Sequence, residues 1–345
     1  MNERENYLRA VEFREPQWIP VTVSILPATW MKYREDLERI VRRYPKLLPS
    51  FISGKIDYDE CQIAYRRGYH LDNWGCRWYT PEPGLLGRIV EHPLADWKSL
   101  SGYAPPDYLK HGEYGNQDWD EIRNEISRRK SEDLLTTGAG GELFTRFYFL
   151  RGFENLMIDI ARDDPNLGSL VEMITEYEIG LVDKWLELDV DVMSFHTDIG
   201  AQNGLMIHPD EFRKYFKPMF VKLFKLCRDA GVHVFLSSDG RVTEIVDDFI
   251  ECGVSIHDPQ VRPNTIEGIA ECYGGRLCAA VDLDQQVILP FGTAEEVDSH
   301  VREVVDKLKT PAGGLMIYAE IQPTYPLENI ETLFESLEAY CLIGA

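Results

Sequence analysis

The chain has 345 residues, a formal net charge of −22 at pH 7 and 44% hydrophobic residues, a composition typical of a soluble globular protein. The negative charge argues against nucleic acid or an anionic membrane as a partner, because both need a basic surface. No apolar run approaches the ~18 residues of a membrane span, and the N-terminus does not resemble a signal peptide. The seven cysteines include no CxxC pair. We therefore expect a cytoplasmic protein whose cysteines are reduced thiols.

The N-terminal part of the chain combines a strand and helices with one aromatic segment. Residues 5–13 predict a short helix, 18–24 a first strand and 30–51 a second helix. Aromatic residues, glycines and prolines are dense from 58 to 93, which predicts a strand followed by a β-hairpin or meander with a turn near 81–87. We expect an insertion of about residues 52–110 to fold over the mouth of the main domain.

From about residue 119 the sequence alternates between strand and helix patterns. Together with the earlier segments, the predicted strands lie at 18–24, 75–79, 133–137, 190–196, 232–238, 254–257, 277–282 and 314–319. Eight alternating units predict an α/β fold, a (β/α)8 TIM barrel, as one domain over residues 1–345 with an N-terminal helical extension and the inserted aromatic β-hairpin. A doubly wound open sheet is the alternative, but no nucleotide-binding loop follows Ser24.

Polar residues stand at the ends of several predicted strands. They include His196, Asp198, Asp239, Asp282 and Glu320. Active sites of TIM barrels lie at the carboxyl ends of the strands, so these side chains are expected to share one mouth. A histidine with a carboxylate two residues on could bind a metal or act as an acid–base pair, whereas the structural alternatives are a hydrogen-bonded histidine and, for Asp239, a helix N-cap.

Several segments resemble a known family over most of the chain. They are DNWG at 72–75, FLRGFENLM at 149–157, residues 196–218, SSDG at 237–240, residues 281–297 and YPLENIETLFE at 325–335. The chain is similar in these segments to the uroporphyrinogen decarboxylase superfamily, and this resemblance implies a TIM barrel. The superfamily contains decarboxylases, methylcobalamin-dependent methyltransferases and the ether-cleaving methyltransferases of O-demethylase systems.

Two branches of the superfamily fit these residues poorly. A true uroporphyrinogen decarboxylase carries an arginine motif after its first strand, where this chain has SILPATW at 24–30. The thiol methyltransferases bind zinc through an HxC pair and a later cysteine. Here Ser237 and Asp239 occupy the HxC positions, and Ala319 or Glu320 stands near the later cysteine. The resemblance therefore favours the O-demethylase methyltransferases.

A spacing proposed as the zinc signature of that branch is E-x14-E-x20-H, which Glu172, Glu187 and His208 satisfy. Both glutamates fall on one predicted helix, where fifteen residues correspond to roughly 22 Å, too far for one ion. If zinc is a cofactor, we expect it at the strand ends instead, bound by His196, Asp239 and Glu320.

The resemblance implies methyl transfer from a small methoxylated aromatic to the Co(I) centre of a separate corrinoid protein, which would dock over the mouth. In this hypothesis His196, Asp239 and Glu320 surround the ether oxygen and act as catalytic groups, while Asp198 and Gln202 orient them. The substrate would further contact Trp30, Trp74, Trp78, Tyr79 and Asp282, unless the aromatic residues only pack the insertion.

Alternatives from other classes stay open. A cofactor-independent decarboxylase would need a cationic anchor for its substrate, and Arg77, Arg146 and Arg151 are the candidates. A non-catalytic corrinoid-binding protein would bind without turnover. From the superfamily we also expect a homodimer.

Overall fold

The computed structural model describes residues 1–112 and 115–344, in which strands and helices alternate. The strands are β1 Val21–Ile25, β2 Gly68–Leu71, β3 Arg77–Thr80, β4 Arg88–Glu91, β5 Thr137–Glu142, β6 Val192–His196, β7 Gly200–Ala201, β8 Gly204–Leu205, β9 His233–Ser237, β10 Ile256–His257, β11 Cys278–Asp282 and β12 Leu315–Ile321. The helices are α1 Glu3–Val11, α2 Pro27–Val41, α3 Trp119–Ser131, α4 Phe144–Arg151, α5 Phe153–Arg162, α6 Pro165–Leu186, α7 Pro209–Glu211, α8 Lys217–Asp229, α9 Val246–Cys252, α10 Val261–Asn264, α11 Ile266–Tyr273, α12 Ile288–Phe291, α13 Ala294–Leu308 and α14 Leu327–Tyr340. Among the helices of these two ranges, none combines the length and the apolarity that crossing a bilayer requires.

Contacts divide the chain into two compact units. Unit 1 comprises Met1–Gly68, Thr80–Gly87 and Asp258–Ala345, and unit 2 comprises Tyr69–Tyr79 and Arg88–His257. The single domain and the position of the insertion over the mouth stay predictions.

Unit 1 contains three parallel strands, in which β12 pairs with β1 on one side and with β11 on the other. All five residues of β11 are buried, as expected for a parallel strand covered on both faces. The register places Ser24 beside Glu320 and Tyr318 beside Asp282. Polar side chains from three strands therefore come together at the carboxyl end of this sheet.

Unit 2 contains four parallel strands in the order β5, β6, β9 and β10. Val192, Met193 and Phe195 of β6 are buried, and the strand ends at the exposed His196. The register places His196 beside Ser237 of β9. As in unit 1, polar residues lie at the carboxyl ends of the strands, directly after their apolar residues.

The predicted strand 75–79 is not a barrel strand. It corresponds to β3, which pairs with β4 in antiparallel register in a three-stranded sheet of β2, β3 and β4. The predicted hairpin with its turn near 81–87 is therefore confirmed, while the count of eight parallel strands is wrong. The described residues contain seven, three in unit 1 and four in unit 2.

The strand predicted at 133–137 begins only at Thr137. Residues 132–134 instead terminate α3, because the backbone N–H groups of Glu132 and Leu134 donate to carbonyls of its last turns and Asp133 has a φ of +55°. The glycine-rich segment is the strand itself. A Cβ atom on Gly138 would lie 2.3 Å from the sulfur of Met193, so any larger residue there would force the Met193 side chain on β6 to move.

Candidate functional site

A hydrogen-bonded network links the ends of β11 and β12 in unit 1. Gln322 Nε2 donates to Glu320 Oε1 over 3.2 Å and to Gln285 Oε1 over 2.5 Å. Gln285 Nε2 in turn donates to Asp282 Oδ2 over 2.8 Å. Glu320 and Asp282 were predicted from the sequence as site residues, and the two glutamines that connect them were missed.

Glu320 is the half-buried carboxyl group of this network. Burial raises its pKa above the ordinary value, although hydrogen bonds with Gln322 and Tyr318 oppose the shift. The Tyr318 hydroxyl is also hydrogen-bonded to the Ser24 hydroxyl at 3.3 Å. A glutamate with a raised pKa keeps its proton to higher pH, so Glu320 is suited to donate a proton to a bound molecule.

A fully buried tyrosine, Tyr325, lies near the same carboxylates. Its side chain is 0% exposed, and none of the described residues is hydrogen-bonded to its hydroxyl. Burial and the negative charges of Asp282, Glu320 and Asp284 raise its pKa, which keeps the hydroxyl neutral and able to donate. A buried donor without an acceptor costs roughly 1–3 kcal/mol.

The loop after β11 is fixed by Asp284. Burial disfavours its ionised form, but the guanidinium of Arg262 and the backbone N–H groups of Val287 and Gln286 outweigh burial and lower its pKa. Arg262 forms an ion pair with Asp284 at 2.9 Å, and the Asp284 N–H donates to His300 Nε2 over 3.1 Å. These contacts hold the loop that carries Gln285.

A second polar cluster lies at the ends of β6 and β9 in unit 2. Asp198 Oδ1 accepts a hydrogen bond from the Asp239 N–H over 3.1 Å, and Ser238 Oγ accepts one from the Ile199 N–H over 3.2 Å. Asp198 has a φ of +30°, an uncommon backbone conformation for a non-glycine residue. The structure thus brings together two of the predicted residues, Asp198 through its carboxylate and Asp239 through its backbone N–H, beyond the end of β6, where His196 lies.

The N-cap alternative for Asp239 is wrong. The next helical turn spans Thr243–Ile245 and follows Val242, too far along the chain for the Asp239 side chain to cap it. Tyr148 of α4 joins the cluster instead. Burial, together with the charges of Asp198, Glu142 and Asp239, raises its pKa. Sequence reasoning missed Tyr148, because its place in an aromatic helical run gave no sign of the distant carboxylates.

The predicted aromatic wall divides into buried and half-buried residues. Trp74 and Trp78 are each 2% exposed and so present almost no surface to a ligand. Asp72 holds both, because its carboxylate accepts hydrogen bonds from the Trp78 indole N–H at 2.8 Å and from the Trp74 backbone N–H at 2.9 Å. The structure favours the packing alternative for these two residues.

Trp30 and Tyr79 are half-buried. Trp30 stacks on Phe51 with ring centroids 5.9 Å apart in unit 1, and Tyr79 contacts Tyr69 with centroids 4.8 Å apart in unit 2. Gln202 is exposed between β7 and β8. Each of these side chains retains surface that a ligand could contact.

The arginines considered as anchors for an anionic substrate have partners in the fold. Arg77 pairs with Glu91 at 2.6 Å, and Arg151 pairs with Asp159 at 2.7 Å in a buried site. Arg146 is 0% exposed, with its guanidinium 4.3 Å from the centre of the Trp74 ring. These positions are those of structural arginines.

The described part of the chain contains no group of three His, Cys, Asp or Glu side chains close enough together to hold a metal ion. His208, from the zinc spacing, is exposed, and its Nδ1 accepts a hydrogen bond from the Asp210 N–H at the start of α7. Zinc binding by His196, Asp239 and Glu320 stays a prediction.

Comparison with solved structures finds a likeness along nearly the whole chain. A methyltransferase from Methanosarcina mazei is similar with a TM-score of 0.69 and 17% sequence identity, over 98% of each chain. This likeness confirms the predicted α/β TIM-barrel class of fold. A dihydropteroate synthase from Xanthomonas albilineans and a D-tagatose 3-epimerase-like protein match more weakly, both with TM-scores of 0.37, at 11% and 14% identity, over 61% and 64% of this chain and 69% and 84% of theirs.

A search of curated proteins finds no sequence that matches this chain. The sequence profile of one family, described as uroporphyrinogen decarboxylase (URO-D), matches residues 89–340, well over half of the chain. The matched region includes the ends of β6, β9, β11 and β12, where both polar clusters lie. The chain therefore belongs to the uroporphyrinogen decarboxylase (URO-D) family.

Proposed function

We propose that this protein transfers a methyl group from a small methoxylated aromatic to the Co(I) centre of a separate corrinoid protein. Its family membership and its likeness to a protein named as a methyltransferase support methyl transfer. The observation that carries the proposal is the raised pKa of Glu320 at the end of β12. Cleavage of an aryl methyl ether needs an acid at the oxygen, and a protonated carboxyl group supplies one.

The reaction breaks the bond between the methyl carbon and the ether oxygen. The Co(I) centre of the partner supplies the electron pair of the new bond to carbon, and the electron pair of the broken bond stays on oxygen. Glu320 gives its proton to that oxygen, so a neutral phenol leaves in place of a phenolate. The ionised Glu320 then takes a proton from water. Because Gln322 donates to Oε1, the proton that Glu320 transfers is assigned to Oε2.

His196 and Asp239 remain proposed partners at the ether oxygen, with Asp198 and Gln202 orienting them. A second general acid or a hydrogen-bond donor there would stabilise the charge that develops on oxygen. Zinc would supply Lewis-acid chemistry at the same place, but the donor groups of the described residues do not form a set that fits it. No step of the proposed mechanism depends on zinc.

The proposal is tested by incubating the purified protein with methoxyarenes and a corrinoid protein reduced to Co(I), and by measuring the phenol and the methylated corrinoid. Glu320→Gln removes the acid and should lower the rate by about 10²–10⁴-fold. Glu328→Gln makes the same chemical change at an exposed position of α14 and should leave the rate within about twofold of wild type. Full activity of Glu320→Gln would exclude its role as the acid.

The alternative is a cofactor-independent decarboxylase. It predicts release of carbon dioxide from a carboxylated substrate without any corrinoid protein. It also needs a cation facing the substrate, whereas Arg77 and Arg151 form ion pairs within the fold. Carbon dioxide release in the absence of the corrinoid protein would replace the proposed function with this one.

A further inference from the structure

We infer that the corrinoid protein docks on an apolar rim that flanks the end of β12 in unit 1 and is formed by the side chains of Ile63, Leu86, Val287 and Phe291. This inference rests on the proposed function and specifies where its partner binds. The four side chains are large and apolar, and they are 52%, 47%, 41% and 77% exposed, respectively. Single apolar side chains are common on protein surfaces, but several around one site indicate a contact surface.

Val287 and Phe291 lie on one side of Glu320, in the connection that follows β11. Phe291 is the last residue of α12, and its N–H donates to the Val287 carbonyl over 3.0 Å. The next residue, Gly292, accepts a hydrogen bond on its carbonyl from Asn329 Nδ2 over 2.8 Å. Because these contacts hold the backbone of α12, the exposed ring of Phe291 is presented to solvent from a fixed position.

Ile63 and Leu86 lie on the other side, next to the carboxyl end of β1. Ile63 begins a short helical turn that ends at Tyr65, whose carbonyl accepts a hydrogen bond from the Gly84 N–H over 2.8 Å. The Gly84 carbonyl accepts one from the N–H of Ala28 in the first turn of α2, over 3.1 Å. A Cβ atom on Gly84 would lie 2.4 Å from that nitrogen, so this close approach needs glycine. The segments that carry Ile63 and Leu86 are thereby held beside the end of β1.

The strand order places Glu320 between the two halves of the rim. β12, which carries Glu320, pairs with β1 on one side and with β11 on the other. Neighbouring strands are about 4.8 Å apart, so β1 and β11 are roughly 10 Å from each other. A protein that brings cobalt to a methyl group at Glu320 approaches these strand ends and meets apolar side chains on both sides of them.

A second copy of this chain is the competing occupant of the rim. It would bring the same net charge of −22 to the contact. Like charge on both partners disfavours their association, whereas a partner of different charge is not repelled in this way. The rim is therefore assigned to the corrinoid protein.

The test measures docking separately from turnover. The corrinoid protein of the methyl-transfer assay is kept in the Co(II) state, which does not accept a methyl cation, and its dissociation constant is measured by calorimetry without any methoxyarene. Phe291→Ser and Ile63→Ser should each weaken binding by at least about tenfold, because each removes an apolar contact from one half of the rim.

Ile343→Ser is the matched control for Ile63→Ser. Ile343 is 67% exposed and lies near the opposite, amino end of β1, where the Ile19 N–H donates to the Cys341 carbonyl over 3.0 Å. This variant should bind the corrinoid protein within about twofold of wild type. All three substituted side chains are exposed, so the urea unfolding midpoints should equal that of wild type.

Several outcomes would overturn the inference. They are an absence of binding by the wild-type protein, wild-type affinity in either rim variant, and an equal loss of affinity in Ile343→Ser. Sedimentation velocity supplies a further check, because a wild-type dimer that Phe291→Ser dissociates would assign the rim to a second copy of the chain.

Failure of the proposed function has a different signature, because docking is measured without methyl transfer. If both rim variants weaken docking but no methyl group reaches the Co(I) form, the docking surface stands and the O-demethylation proposal fails. If methyl transfer occurs and both rim variants keep the wild-type KM for the corrinoid protein, O-demethylation stands and the docking surface is wrong.

Discussion

Glu320 and Gln322 lie two residues apart at the end of β12, and Gln322 Nε2 donates a hydrogen bond to Glu320 Oε1 over 3.2 Å. Side chains alternate along an extended strand, so residues two apart project to the same side. Gln322 also reaches Gln285 of the loop after β11, which fixes the orientation of its amide. The carboxyl group of Glu320 is thereby positioned by a neighbour that is itself held by another part of the chain.

Gln322→Ala should shift the pH dependence of methyl transfer. The hydrogen bond from Gln322 favours the ionised form of Glu320, so its loss should raise the pKa of Glu320 further. Because the proposed reaction needs the protonated form, we expect the alkaline limb of kcat/KM to move to higher pH. The exposed Gln286→Ala serves as the matched control and should leave the limb in place. If the limb moved to lower pH, the hydrogen bond from Gln322 would not favour the ionised form of Glu320.

His300 should make stability depend on pH. Burial lowers the pKa of His300 from 6.5, and its Nε2 accepts the hydrogen bond from Asp284 only in the neutral form. The unfolded chain therefore binds a proton at higher pH than the folded protein. The stability from this residue is complete above pH 6.5 and decreases as the pH falls from there toward the folded-state pKa.

This dependence is measured by urea unfolding between pH 8 and 5. His300→Gln retains an acceptor atom but does not titrate, so its unfolding midpoint should fall less steeply with decreasing pH than that of wild type. His257, whose pKa burial lowers to about 3, is present in both proteins and does not affect the comparison. Identical slopes for the two proteins would show that His300 does not contribute.

Asp72→Ala should destabilise unit 2. The Asp72 carboxylate is 6% exposed and accepts hydrogen bonds from Trp78, Trp74 and Cys76, so its removal leaves three buried donors without a partner. We expect a loss of about 2–4 kcal/mol in the free energy of unfolding, measured by urea denaturation. The exposed Asp306→Ala should change this quantity by less than about 0.5 kcal/mol.

Arg151→Lys tests whether Arg151 is structural or binds substrate. Arg151 Nε donates to Asp159 at 2.7 Å while Nη1 donates to the Leu94 carbonyl at 2.7 Å, and a lysine cannot reproduce both contacts. We expect a loss of about 2–4 kcal/mol in the free energy of unfolding with KM unchanged. The exposed Arg162→Lys is the control. A stable variant with a raised KM would instead favour an anchoring role.

Much of the fold was predictable from local pattern. Short apolar runs at 190–196, 232–238, 277–282 and 314–319 correspond to β6, β9, β11 and β12, each within two residues at either end. Period and strand length are properties of the local sequence, and burial on both faces makes these runs almost continuously apolar. Residues 75–79 were wrongly assigned to the barrel because an antiparallel strand covered on one face also contains large apolar side chains. Its local pattern therefore resembles that of a buried parallel strand.

By itself, the sequence determined the alternation of strands and helices, the polar residues where the strands end and the family resemblance. The tertiary structure decided which of those residues meet. Glu320 and Asp282 are linked through Gln322 and Gln285, which lie 37 residues apart in the chain. Hydrophobic periodicity determines which face of a strand is buried, but not which distant side chain completes a hydrogen bond. That pairing depends on strand order and register, which form only when the chain folds.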